Sequence, residues 1–183
     1  YCGKTVCERL MSGFNCTLVG YGALFRGKSY TLVGVEPLQS GAAEPVNSAT
    51  DGLFPRIVRG LFDKICEADE SIEFTIRMAC YEILCDADGN SIIDLMAVGQ
   101  EQQNNLEIVL HENNEAEIAG LSEQYVASEE EIFNLFNTCK QHSNASRSTL
   151  FVEIVIGRRG KNDEQVQNET TTTTTTSTTT LTT

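Results

Sequence analysis

The sequence predicts a P-loop-like α/β domain, a mixed sheet flanked by helices, and three observations carry that reading. The apolar run "CTLVGYG" closes on glycines and opens into Gly22, Ala23, Leu24, Phe25, Arg26, Gly27, Lys28 and Ser29, which fit the phosphate-loop pattern G-x-x-x-x-G-K-[ST]. Helical and strand periodicities then alternate along the chain, as they do when helices cover a sheet. A continuous β-branched and aromatic strand, "TLFVEIVI", follows at 149–156.

Each element has its own signal. In "TVCERLMS" (5–12), Val6, Leu10 and Met11 share a face that ends at Gly13, the last turns of a helix. "CTLVGYG" reads as a short buried strand, and a helix is expected to start at Lys28 after the loop. Residues 35–51 are rich in Pro, Ser, Ala and Asn without periodicity and read as a surface loop. "LFPRIVRGLFDKICEAD" places Pro55 at a first helical position and Ile57, Leu61 and Ile65 on one stripe, an amphipathic helix. "SIEFTIRMACYEIL" alternates Ile72, Phe74, Ile76, Met78 and Cys80 against polar neighbours, and "NLEIVL" repeats the pattern with Leu106, Ile108 and Leu110; both read as half-buried strands. Ser128 stands three residues ahead of Glu131, a capping box opening a short helix whose buried stripe is Ile132, Leu135 and Phe136. Beyond Gly157 the composition turns charged, then Gln- and Asn-rich, then almost purely Thr; residues 157–183 are expected to be a disordered low-complexity tail.

Composition narrows the partners. At 183 residues the chain suits one domain, since roughly 150 residues per domain is usual. It opens on Tyr1 and closes on a Thr run, so it reads as a fragment. The net charge is −13, and residues 63–131 hold 18 acidic side chains against Lys64 and Arg77 alone. Nucleic-acid phosphates and anionic lipid would both be repelled, so neither nucleic acid nor membrane is expected as a partner. Seven cysteines with no C-x-x-C pair, and two well-separated histidines, argue against a zinc site and a complete disulfide framework. Reduced thiols in a cytoplasmic protein are the simpler reading, and no run approaches the roughly 18 apolar residues of a spanning helix.

Five stretches in order point to a family. "GFNCTLVGYGALFRGKSYTLVG" sets Gly13, Asn15, Thr17, Tyr21, Gly22, Gly27, Lys28, Tyr30 and Thr31 as they stand around the phosphate loop of kinesin motor domains. "GLFPRIVRGLF" (52–62) is similar to that family's G-I-I-P-R helix start, and "CYEIL" with "IIDLM" to its S-Y-x-E-I-Y-N-E-x-I-x-D-L-L segment. "SEEEIFNLF" resembles the helix before switch I, and "HSNASRSTLFVEIVI" resembles switch I, N-x-x-S-S-R-S-H, with the strand after it. The chain therefore resembles the N-terminal half of a kinesin motor domain over about residues 5–156, which implies a partial kinesin motor fold across 1–156.

The resemblance implies chemistry residue by residue. Backbone N–H groups of Gly22 to Ser29, with Ala23, Leu24, Phe25 and Arg26 between, would cradle the β-phosphate of ATP; Lys28 would reach the β- and γ-phosphates. Ser29 and Ser146 would hold Mg²⁺, and Arg147 would pair with switch II. The activity implied is ATP hydrolysis coupled to movement on microtubules, in the cytoplasm and on the cytoskeleton. The chain also departs from the pattern. Phe25 stands where the family has glycine, Arg26 where it has a small residue, and His142, Ala145 and Thr149 where Asn, Ser and His are usual. The segment from Phe136 to Ser146 is several residues short, and the D-L-A-G-S-E signature of switch II is not in the chain. These departures imply a weak or inactive nucleotide binder, and keep open a non-motor scaffold without ATPase.

A third class comes from other motifs. Asn15, Asn144 and Asn168 head N-x-[ST] triplets beside a Thr-rich tail, as in a secreted glycosylated module. "DADGNSIID" puts Asp86, Asp88, Asn90 and Asp94 at positions 1, 3, 5 and 9 of a calcium loop, but with Ser91 at the glycine position and Ala97 in place of the bidentate Glu.

Overall fold

The computed structural model describes residues 2–23, 26–35, 51–86, 89–97, 106–111, 116–143, 148–160 and 177–182; residues 2, 85–86, 89–90 and 177–182 are described by backbone alone. Among the described residues, four helices, α1 (Cys2–Met11), α2 (Lys28–Leu32), α3 (Leu53–Cys66) and α4 (Glu129–His142), accompany eight strands. Six strands form one sheet: β1 (Cys16–Gly20), β8 (Ser177–Thr182), β7 (Ser148–Gly160), β2 (Ile72–Asp86) and β3 (Gly89–Asp94) in that spatial order, with β6 (Gln124–Tyr125) also on β2. β1 and β8 run parallel, whereas β7 is antiparallel to both β8 and β2, so the sheet is mixed as the sequence predicts.

The core lies on the sheet face carrying Ile76, Met78 and Cys80 of β2 and Leu150, Val152, Ile154 and Ile156 of β7. That is the even-numbered phase of both strands, as period-2 alternation requires. Against it pack Cys7 and Leu10 of α1, Leu32 of α2, Phe54, Ile57, Val58 and Leu61 of α3, and Ile132, Phe133, Phe136 and Cys139 of α4. Each fully buried Leu, Ile or Phe contributes about 1.5–3 kcal/mol of transfer free energy. Phe54 and Phe136 join α3 to α4 with ring centroids 5.0 Å apart. On the opposite face Tyr81 and Phe151 stack, 5.0 Å between centroids and 3° between planes.

Local starts follow the sequence signals. The Ser128 hydroxyl caps α4 by accepting the Glu131 N–H at 3.2 Å, while the Glu131 carboxylate accepts the Ala127 N–H at 2.7 Å. α3 begins at Leu53, so Pro55 is its third residue rather than its first; the first-turn N–H it lacks has no intrahelical acceptor in any case.

Several expectations are corrected. β1 is an edge strand and not buried: Val19 is 62% exposed. The "NLEIVL" strand, β4 (Glu107–Leu110), is not half-buried, because it pairs only with β5 (Ala116–Ala119) in a separate two-stranded ribbon that leaves Leu110 75% exposed. α4, expected to be short, runs 14 residues. The tail expected to be disordered from 157 is ordered in two places. β7 continues to Gly160, opposite Ile72 on β2. Ser177–Thr182 forms β8 between β1 and β7, where a ladder on each side satisfies its backbone. "DADGNSIID" lies in the β2–β3 hairpin, with Asp86 paired to Gly89, and Asp88 falls outside the described residues. Of the thiols, Cys7, Cys80 and Cys139 are buried, Cys66 is exposed, and all four are free.

Candidate functional site

β1 delivers the chain to Gly20 and, through the exposed Tyr21, to the loop. Gly22 has φ 150° and Gly27 φ 82°, both in the region that side chains other than glycine's rarely adopt. α2 then starts at Lys28, where the sequence places it, with the Thr31 N–H donating to the Gly27 carbonyl at 2.9 Å. The Lys28 ammonium arches back over the loop and donates to the carbonyls of Gly22 at 2.9 Å and Ala23 at 2.8 Å. Arg26 is exposed and Ser29 half-buried. Leu24 and Phe25 lie outside the described residues.

The sheet register decides what stands beside this loop. Gly20 of β1 and Leu150 of β7 both pair with Leu181 of β8, one from each side. With strands about 4.8 Å apart, the two backbones stand roughly 10 Å from each other. β1 runs toward this edge and β7 away from it, so the residues after Gly20 and those before Ser148 meet at one edge. Ser146 and Arg147 lie outside the described residues, but both neighbours of their segment are described: Ser143, the C-cap of α4, and buried Ser148, the first residue of β7. In an α/β sheet this edge, at the carboxyl end of a parallel strand, is where ligands bind.

Two carboxylates are buried farther across the sheet, on β2 and β3. Glu82 of β2 is 1% exposed and accepts the Ser143 hydroxyl. Asp94 at the end of β3 is equally buried; its Oδ1 accepts the N–H groups of Met96 at 2.8 Å and Ala97 at 3.2 Å, and its Oδ2 that of Ser122 at 2.8 Å. Glu82 was legible in principle as a charge in phase with Met78 and Cys80 on the buried face of β2. Two residues back on that face, Cys80 shares a thiol hydrogen bond with Cys139 of α4, which together with burial pushes the Cys80 thiol well above its ordinary range. Burial likewise raises the Cys7 thiol.

The chemistry of the loop fits a bound phosphate: a positive-φ glycine at each end, an ammonium held over it and a hydroxyl on the next residue. Ser29 fits a hard cation through its hydroxyl, because its carbonyl already accepts the N–H groups of Val33 at 2.7 Å and Gly34 at 3.1 Å. Among the described residues, no cluster of three or more His, Cys, Asp or Glu side chains could hold a metal ion by itself, and no helix is long and apolar enough to cross a membrane.

Known proteins fall on the same lines. The kinesin motor domain family model matches residues 1–179. The kinesin heavy chain isoform 5C of Rattus norvegicus is 27% identical over 164 residues, covering 84% of this chain and 16% of the relative. The kinesin heavy chain of Drosophila melanogaster is 27% identical over 162 residues, 82% of this chain and 15% of the relative. The chain thus spans about a sixth of the length of these relatives. Among solved structures, that of a fast kinesin superposes with a TM-score of 0.72 at 24% identity, over 97% of this chain and 46% of that one. A KIF14 dimer with AMP-PNP on a microtubule gives 0.72 at 21%, over 96% and 47%; both show a shared fold. From the loop at 22–29 to the strand after α4, the chain belongs to the kinesin motor domain family.

Proposed function

We propose that this chain provides the nucleotide-binding half of a microtubule motor domain, taking ATP with Mg²⁺ at the loop 22–29. The observation that supports this most is the register through Leu181, which sets the phosphate loop and the approach to Ser148 at one edge of the sheet. Gly22 and Gly27 hold the turns that let backbone N–H groups face a phosphate, and Lys28 exchanges its two loop carbonyls for phosphate oxygens. Leu24, Phe25 and Arg26 supply the middle of the cradle. Ser29 and Ser146 are the hydroxyls for Mg²⁺, and Arg147 is the charge for a switch II carboxylate. The cation, when bound, neutralises charge on the β- and γ-phosphates.

Movement along microtubules in the cytoplasm is proposed for the protein to which this half belongs, from its membership of the family and from relatives that are kinesin heavy chains. Titration of the chain with ATP, with and without Mg²⁺, beside Lys28→Ala tests the nucleotide reading. Saturable binding that is at least about tenfold weaker in Lys28→Ala supports it; no Lys28-dependent binding at millimolar ATP leaves a scaffold that keeps the fold without the chemistry. Co-sedimentation with microtubules tests the partner.

A further inference from the structure

A cavity opens at the end of the sheet away from the phosphate loop. β7 starts at Ser148 on the loop edge and ends at Gly160 on the far one, where Gly160 pairs with Ile72 at the start of β2. Between these strand ends and the C-terminus of α1 lies a cavity of ≈ 90 Å³. Leu10, Met11, Phe74 and Ile156 give it an apolar wall, and the exposed Arg158 lines it beside them.

Arg158 breaks the pattern of its strand. It occupies the phase of β7 that carries Leu150, Val152, Ile154 and Ile156 on the core face, and its partner across the ladder is the apolar Phe74. Arg159, one step on, belongs to the other face and stands across from Glu73. Among the described residues no carboxylate forms an ion pair with Arg158. The helix end next to it offers little opposition to an anion. The N–H groups of Ser12, Phe14 and Gly13 donate to the carbonyls of Glu8 at 3.2 Å, Arg9 at 3.0 Å and Leu10 at 2.9 Å, so three of the last four carbonyls of α1, which ends at Met11, are already satisfied.

We propose that this cavity is a binding site for a small carboxylate with a branched apolar body. An apolar cavity of about 150 Å³ takes benzene, so ≈ 90 Å³ suits a branched group of about four carbons against Met11, Phe74 and Ile156. The carboxylate pairs with the Arg158 guanidinium, whose planar fork fits two carboxylate oxygens. In a chain of net charge −13 an anion is not drawn in by the overall field, so this local charge has to hold it. The site shares no residue with the loop at 22–29 and stands or falls apart from the nucleotide reading.

The test follows the methyl groups of the three methionines of the full chain by carbon-13 NMR while sodium 3-methylbutanoate is added. Met11 lines the cavity, whereas Met78 and Met96 do not and serve as internal controls; Met11→Leu assigns the signal. A ligand of this size is expected to bind with a Kd of about millimolar. The Met11 methyl should shift saturably while those of Met78 and Met96 stay. Two relatives of the ligand test the unaltered chain without any variant: 3-methylbutanamide, which lacks the charge, and acetate, which lacks the body, should each bind at least about tenfold more weakly, the loss expected for one charge-assisted contact or one buried apolar group.

Two variants then locate the charge. Arg158→Gln should weaken 3-methylbutanoate at least about tenfold, and Arg159→Gln, on the other face, should leave it within about twofold. No shift of Met11, equal binding of the amide and the carboxylate, or an unchanged Kd in Arg158→Gln overturns the proposal. So does an equal loss in Arg158→Gln and Arg159→Gln, which would mean that any cation at this edge attracts the anion and no pocket selects it.

Discussion

Gly52 stands against Leu32 so closely that a Cβ at Gly52 would lie 2.5 Å from the Leu32 carbonyl carbon and oxygen, and as near the carbonyl carbon of Val33. The Gly52 N–H donates to the Val33 carbonyl at 3.1 Å, so the start of α3 is laced to the end of α2, the helix that follows the glycine loop. The obstacle is backbone, which cannot rotate away. Gly52→Ala is therefore expected to cost about 3 kcal/mol, the upper end for overpacking, and to lower the melting temperature by roughly 6–12 °C in a chain of this size. Calorimetry of the variant checks this, and an unchanged melting temperature would mean that the two helix ends do not approach as described.

Asp94 satisfies three backbone N–H groups from a site that is 1% exposed. Leaving a buried donor unpaired costs about 1–3 kcal/mol each. Asp94→Ala should accordingly cost at least about 3 kcal/mol by urea unfolding. Asp94→Asn keeps one acceptor oxygen and should cost less. A loss under 1 kcal/mol in the alanine variant, well below one unpaired donor, would show that solvent reaches those groups.

Tyr81 gives a pH signature. Burial first, and the Glu153 charge second, push its phenol up to about 12, against about 10 in an unfolded chain. The folded state favours the neutral ring, so this contribution is complete below about pH 10 and is lost as pH rises through about 12. Tyr81→Phe keeps the stack on Phe151 but has no proton to lose. The unaltered chain should lose stability relative to Tyr81→Phe between about pH 10 and 12. Parallel urea midpoints for the two across that interval would refute the assignment.

What could be read from the sequence was whatever local pattern determines. The α3 stripe of Ile57 and Leu61, the Ser128 cap, the alternation from Phe74 to Cys80 and the start of α2 at Lys28 each depend on residues a few positions apart, and each stands where the pattern put it. The misreadings were about partners far along the chain. "NLEIVL" has a sound strand pattern, but alternation does not say which strand it pairs with, and it pairs with β5 away from the main sheet. The Thr run carries no apolar periodicity, yet Ser177–Thr182 pairs by its backbone with β1 on one side and β7 on the other. For the candidate site, spacing located the loop at 22–29. The nearness of Gly20 to Leu150, and the seating of Ser143 on Glu82, arise from sheet order and could not be found by spacing.

Ser29 and Lys28 divide the proposed work at the loop, and the division can be measured. Lys28 already bridges two loop carbonyls, so its ammonium shapes the cradle whether or not a cation is present. The Ser29 carbonyl is spent on Val33 and Gly34, which leaves its hydroxyl as the group of that residue suited to Mg²⁺. Ser29→Ala should then abolish the gain in ATP affinity that Mg²⁺ confers, about tenfold for one hydroxyl ligand hydrogen-bonded or coordinated at a charge. Its affinity for ATP in chelator should stay within about twofold of the unaltered chain, well under 1 kcal/mol. Lys28→Ala should weaken binding in both conditions, and Ser29→Thr, which keeps the hydroxyl, should restore the response to Mg²⁺. Titrations in Mg²⁺ and in chelator decide it: a Ser29→Ala variant with full response to Mg²⁺ places the cation elsewhere, whereas loss in both conditions makes Ser29 a scaffold residue of α2.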